Sequence, residues 1–454
     1  MSESNLKQTH STGYKQELNR ALTFGDLLIY GLIFMVPIAP FGIYGQIAIG
    51  SHGMVALAYA IGMVGMLFTA ISYSKMSSAI PIAGSVYSYA QRGINDNVGF
   101  IAGWLILLDY IFIPALLYLV SAVALADIIP QIPVLVWLII FIGFNTVINI
   151  RGIVFTAKTN KIILFLEFVV LAIFIIVGIS AIAQHTNGAH FTFKPLYDPN
   201  QFALPTVMGA VSIAVLSFLG FDAISTLAEE SNGGKKAVGR ATVFSLIIVG
   251  VLFIIQTWVA ALIFPNFNGF KNPDTAFYQV AGIAGGNWLR ILTIVATAVS
   301  WGIADALVAQ TAISRVLYSM ARDGKLPHIL ARIHPKFKTP YVSTLLVAII
   351  SLIVTTIFSS QIGKLASVVN FGALSSFILL HIAVMNFFLR KKKSKNYLQY
   401  FIMPLIGLLV IGFVWWNLDS LAKTLGFSWL AIGIIYLIFL KIFGKETKLS
   451  DDLS

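Results

Sequence analysis

What most limits how this chain can fold is a series of about 12 apolar stretches, most of them about 20–28 residues long, joined by short polar connections. At a rise of about 1.5 Å per residue, each stretch is long enough to cross the hydrocarbon core of a bilayer as a helix. No water-soluble domain of 454 residues needs so much apolar surface: 58% of the residues are hydrophobic and only 11% are charged. The stretches fall at roughly 24–49, 54–79, 97–126, 133–151, 159–183, 206–231, 241–264, 288–319, 341–358, 364–389, 399–418 and 426–444. The fold class that follows is an all-α integral membrane protein. A single membrane domain over 24–444 is expected between polar tails at 1–23 and 445–454. The first tail has no short apolar region ending in a small-residue cleavage site, so it reads as a cytoplasmic tail and not as a signal peptide.

The net charge of +12 would suggest nucleic acid as a partner for a soluble protein. Here the basic residues lie between spans and on alternate connections. One side receives Lys7, Lys15, Arg20, Lys75, Arg92, Arg151, the Lys235-to-Arg240 and Arg315-to-Lys338 stretches and the Arg390–Lys393 cluster. The other side receives only Lys194, Lys271, Lys364, Lys423 and Arg290. Such asymmetry marks the cytoplasmic side, so both termini are expected there, in agreement with an even number of spans. The chain has no cysteine, hence no disulfide and no thiolate chemistry.

Two spans are interrupted. The first carries Pro37-Ile38-Ala39-Pro40-Phe41-Gly42, and the sixth carries Ser217-Phe218-Leu219-Gly220-Phe221-Asp222. Proline removes a backbone donor and glycine tolerates unusual dihedrals, so both stretches free polar backbone at membrane depth. That is tolerated only where the backbone faces protein, water or a ligand. Broken helices in corresponding positions of two halves point to the binding site of a secondary transporter, whose half-helix ends offer partial charges to an ion or zwitterion. The sequence shows no zinc, nucleophile-elbow or ATP-binding pattern in a suitable context, so neither an enzyme nor a primary pump is expected. A channel would need a repeated filter motif, and none is visible.

Several stretches resemble the amino acid–polyamine–organocation superfamily of permeases, and within it the bacterial putrescine importers. They include Ala83-Gly84-Ser85-Val86-Tyr87-Ser88-Tyr89-Ala90-Gln91, Gly103-Trp104, Leu108-Asp109-Tyr110, Ser217 to Ala223, Glu229-Glu230, His334-Pro335-Lys336 and Asn370-Phe371-Gly372-Ala373-Leu374. The similarity runs from about Leu22 to Phe443. It implies a LeuT-like fold of two inverted five-helix repeats, about 24–183 and 206–389, with accessory helices at about 399–444. It also implies a substrate held between spans 1, 3, 6, 8 and 10, and coupling usually to protons, so H+ is expected ahead of Na+. No cofactor and no metal site are expected.

The substrate-binding residues expected are Ile38, Ala39, Phe41, Gly42, Asp109, Tyr110, Phe218, Gly220, Phe221 and Asp222. Two departures from the family pattern bear on substrate. Many amino acid transporters have a Gly-Ser-Gly-like turn in the first break, where this chain has Ala39-Pro40-Phe41-Gly42 and Pro40 cannot donate. The putrescine importers carry an acid where this chain has Gly42. Glu167 and Asp305, conversely, are acids where those importers have none, and relatives that carry amino acids often place a lysine at the Glu167 position. A glutamate reverses that sign and suits a proton or a metal cation, so this pair is expected to handle ion coupling. With Asp109 and Asp222, four carboxylates fall near mid-span with no comparably buried Lys or Arg, an interior that attracts cations. Glu229 and Glu230, ending the sixth span, are expected to form an ion-pair latch at the inner gate. His381 in the tenth span reads either as a proton relay or, more simply, as a hydrogen-bonded histidine.

Uptake of a polyamine or related small amine is the leading expectation; an amino acid permease or an amino acid–amine exchanger is the alternative. The expected partners are that substrate and the lipid of the cell membrane, with no nucleic acid and no obligate protein partner.

Overall fold

The computed structural model describes residues 22–80, 85–152, 157–227, 231–232, 236–322 and 326–442. Every regular element among them is helical, apart from one isolated backbone bridge between Leu22 and Ser231. Among the described residues, eleven helices are long and apolar enough to cross a membrane, and Tyr341–Ile357 adds a shorter apolar helix. Together they give the twelve spans read from the sequence.

The ends follow from local chemistry. Thr23 and Asp26 cap the first span reciprocally, each side chain accepting from the other's backbone N–H. Asn95 caps the third span, Asp96–Ile128, through Val98 N at 3.0 Å. The twelfth span begins at Ser420 and not at 426, because Asp419 Oδ1 accepts from Leu421 N and starts the helix earlier. The stretch between spans 7 and 8, read from sequence as a plain connection, contains a short helix, Ala276–Gly285. Asn272 initiates the turn before it by accepting from Asp274 N. Ser85–Gly93 forms a short helix before the third span.

The spans sort into two groups. Span 2 (Val55–Ala79) packs along span 7 (Ala237–Ile263), and both hold spans 1 and 6. Span 3 is the axis of the other group, packed against span 4 (Val134–Arg151), span 8 (Asn287–Arg322), span 9 and span 10 (Ile362–Lys391). Span 12 docks on span 3 through a reciprocal pair of indoles, Trp104 Nε1 donating to Trp429 O and Trp429 Nε1 to Trp104 O, both at 2.8 Å. Spans 4, 5, 11 and 12 turn large apolar side chains outward, among them Phe165, Ile176, Ile435 and Ile442, as lipid-facing helices do. The two groups meet at the breaks. Below, the near face is the one where span 1 begins, and the far face is opposite.

Candidate substrate and ion site at the helix breaks

In span 1 the α-helix Phe24–Met35 stops at Val36, whose φ of 45° is unusual for a β-branched residue. A 3-10 turn, Ala39–Gly42, follows, and the helix resumes over Tyr44–Gly50. Turn bonds Ala39 N to Val36 O (2.7 Å) and Phe41 N to Ile38 O (2.9 Å) satisfy part of the freed backbone. The Pro37 carbonyl is taken by Gln256 Nε2 of span 7 at 3.0 Å. Ile38, Ala39, Phe41 and Gly42 are all buried. The ring of Phe41 stacks on Phe277 with centroids 3.9 Å apart and meets Phe174 edge-on, so the short helix Ala276–Gly285 covers the break from the far face. Gly42 sits where a side chain has no room. A Cβ there would lie 2.6 Å from Val120 Cγ1 and 3.3 Å from the Trp301 ring.

Span 6 runs as α-helix over Leu204–Ala214 and tightens to a 3-10 turn, Val215–Phe218. It extends at Leu219, turns at Gly220 with φ 106°, and restarts as Phe221–Leu227. Gly220 is required twice over: its φ is in the left-handed region, and a Cβ would stand 2.9 Å from the Phe34 carbonyl of span 1. The two breaks therefore lie against each other. Tyr59 and Ser217 share a hydrogen bond at 3.0 Å, and Asn370 of span 10 donates to Ser212 O at 2.6 Å. Phe218 packs with Tyr59 and Phe253, whereas Phe221 joins Tyr73 and Phe377 on the near-face side.

Asp109 and Asp222 are 4% and 5% exposed and within electrostatic reach of one another, with Tyr110 close to both. Asp109 Oδ1 has no hydrogen-bond partner, an orphaned acceptor buried beside the second break.

Glu167 of span 5 and Asp305 of span 8 line one cavity with Ser300 and, from span 1, Ile33, Phe34 and Val36. Its volume is about 20 Å3, just above what a single water molecule needs. It admits a proton, a water molecule or a small cation, and excludes an organic amine. Glu167 Oε2 is buried without a partner, and no Lys or Arg lines the cavity. Among the described residues no three His, Cys, Asp or Glu side chains converge as metal ligands do.

The structure thus brings Glu167 and Asp305 together, sets Asp109 beside Asp222, and packs Phe41, Phe218 and Phe221 against other rings. Glu229 and Glu230 lie outside the described residues. His381 is held by Thr69 Oγ1 (3.2 Å) and Ser72 Oγ (3.0 Å) between spans 2 and 10, the simpler of its two readings. Sequence reasoning passed over Phe174 and Phe277, Trp301, and a polar face of span 4 made by Asn145, Thr146 and Asn149. The signal for the last was present: three polar side chains in an otherwise apolar span. It also passed over a far-face cavity of about 170 Å3 beside Tyr44, His52 and Lys194.

Comparison with known proteins bears on this geometry. A family model described as amino acid permease matches residues 21–444, and the chain belongs to that family of multi-pass permeases, within the amino acid–polyamine–organocation superfamily. It is therefore a transport protein and not an enzyme. It is 31% identical over 427 residues to the low-affinity putrescine importer PlaP of Escherichia coli K12, covering 93% of each chain. It is 27% identical to the branched-chain amino acid permease BcaP of Bacillus subtilis, over 97% of this chain and 96% of that one. It is 26% identical to the methylthioribose transporter of Bacillus subtilis, over 96% of each.

Proposed function

We propose that the chain imports a small organic amine, of the polyamine and putrescine class, across the cell membrane by alternating access, coupled to proton flow. The observation that carries this reading is the separation of two acidic places at the breaks. The Glu167–Asp305 cavity is too small for substrate and serves the coupling ion, a proton ahead of Na+. The Asp109–Asp222 pair, with its orphaned carboxylate oxygen, faces the amine. Carboxylates held in a membrane interior cost at least ~2.5–3.5 kcal/mol each when ionised, so cations are what such places attract. The near face, which carries the basic connections, is cytoplasmic in this reading, and both termini lie there. Similarity to PlaP supports the substrate class. Backbone groups of Ile38, Ala39, Gly42 and Gly220 would line the path, with Phe41, Phe218, Phe221 and Tyr110 around it.

A second reading, an amino acid permease or an amino acid–amine exchanger, has one observation in its favour. The space at Gly42 is closed by Val120 and Trp301, so nothing at that position offers a carboxylate to a diamine. Similarity to BcaP points the same way. Uptake of labelled putrescine into proteoliposomes under an inward proton gradient, with cold neutral and cationic amino acids as competitors, decides between them. Saturable uptake that diamines block and a protonophore collapses is expected. Uptake of a neutral amino acid without any putrescine signal would transfer the assignment to the second reading.

A further inference from the structure

We infer that Asn145, in span 4, is a positioning residue that holds the bend of span 8 by which Asp305 reaches Glu167. The inference rests on the coupling role proposed for that cavity.

Ser300, Ala304 and Val308 line the cavity and are four residues apart, so an ordinary α-helix would put them on one face. Asp305 does not belong to that set. At 3.6 residues per turn, a residue five positions after Ser300 points about 140° away from it. Span 8 is not an ordinary helix there. Residues Ser300–Asp305 form a π turn, and Ala306 N reaches back to Trp301 O, five residues earlier. In that winding, residues five apart lie roughly one turn apart, so Ser300 and Asp305 share a face. Only with this extra residue in the turn do Ser300 and Asp305 both face Glu167.

A π turn widens the ladder and leaves backbone groups poorly matched. Asn145 Nδ2 donates to the carbonyl of Gly302, inside the turn, at 2.8 Å. Asn145 is fully buried and its Oδ1 has no hydrogen-bond partner; besides the Gly302 carbonyl, the polar group its side chain faces is the Tyr118 hydroxyl of span 3. A leucine would fill the same volume without an orphaned acceptor, so packing alone does not explain an asparagine here. The backbone of span 8 also approaches closely at this level. A Cβ on Gly302 would stand 2.7 Å from Ser121 Cβ and 2.8 Å from the Phe141 ring. One turn further along, Asn149 Nδ2 donates to Gln310 Oε1 at 2.6 Å, and Gln310 Nε2 donates to Thr146 Oγ1 at 3.0 Å. Spans 4 and 8 thus stay joined when Asn145 is changed, and the loss falls on the π turn.

The test uses the absence of native cysteine. Glu167→Cys and Asp305→Cys are introduced together, and the yield of their bridging by a short bifunctional thiol reagent is measured by mass spectrometry, with and without Asn145→Leu. In parallel, Asn145→Leu alone is assayed in proteoliposomes for substrate counterflow, for accumulation driven by a proton gradient, and for the pH profile of uptake. Asn145→Leu is expected to lower bridging and accumulation about three- to tenfold, as losing one buried interhelical hydrogen bond would. It should also move the pH profile and spare counterflow. Asn145→Ala is the second variant and is expected to behave alike, whereas Asn145→Gln, which keeps a donor, restores part of the bridging. Unchanged bridging and an unchanged pH profile in both Asn145→Leu and Asn145→Ala would overturn the inference. A fall in bridging in a protein whose unmutated form ignores the proton gradient would leave the positioning role standing and remove the coupling role instead.

Discussion

At Glu167 the carboxylate has one oxygen without a partner and a cavity the size of one water molecule in front of it. Glu167→Gln keeps the shape and removes the titratable group. Accumulation against a gradient is therefore expected to be lost, while counterflow, which needs no net ion movement, persists. Proton-gradient dependence equal to that of the unmutated protein would exclude Glu167 from coupling. Asp109 differs in kind, because its orphaned oxygen lies beside Asp222 at the second break and away from the small cavity. Asp109→Asn should raise KM for a cationic substrate about tenfold or more, the scale of one charge-assisted hydrogen bond, and raise that for a zwitterion less. Equal losses for both would argue against contact with an ammonium. Each of these acids was legible in the sequence, because a charge in the middle of an apolar span stands out. The pairing of Glu167 with Asp305 was expected from the family resemblance, whereas the π turn that turns Asp305 toward the cavity leaves no fixed sequence signature.

Elements that cross the membrane were legible almost to their ends, because apolar length and capping residues such as Thr23 and Asn95 are local properties. The short helix Ala276–Gly285 was not. Ten residues are too few to register as a span, and what makes it matter is tertiary: Phe277 lies flat on Phe41, and Gln46 of the resumed first span donates to Asp274 Oδ1 at 2.6 Å. That helix acts as a cover over the first break. Phe277→Ala removes a fully buried ring, a change that costs about 3–5 kcal/mol in a packed core. A cysteine at Ala39, beside Phe41 in the break, would then be labelled by a water-soluble thiol reagent from the far face at least several times faster than in the parent protein. An unchanged labelling rate would mean that Phe277 packs without covering.

For the whole molecule, the two groups of spans meet at the breaks and along spans 2 and 10, where Thr69 and Ser72 hold His381, so movement of one group against the other involves both places. At the near face the start of span 1 is held only lightly. Asp26 and Lys161 pair at 3.3 Å with both side chains over a third exposed, a kind of pair that contributes little, and Leu22 bridges Ser231 through backbone alone. At the far face Arg290 of span 8 holds Asp127 of span 3 through a side-chain pair at 2.6 Å and a further bond to its carbonyl, and both residues belong to the same group. On the proposed reading the near face is cytoplasmic, in keeping with the excess of Lys and Arg in its connections. Single cysteines at Ser394 and at Asn268, in connections on opposite faces, test it in a chain that otherwise has none. In intact cells a membrane-impermeant thiol reagent is expected to label Asn268→Cys and to leave Ser394→Cys unmodified until the membrane is opened. The reverse pattern would turn the molecule over, placing the basic connections and both ends of the chain outside, and would overturn the proposed orientation.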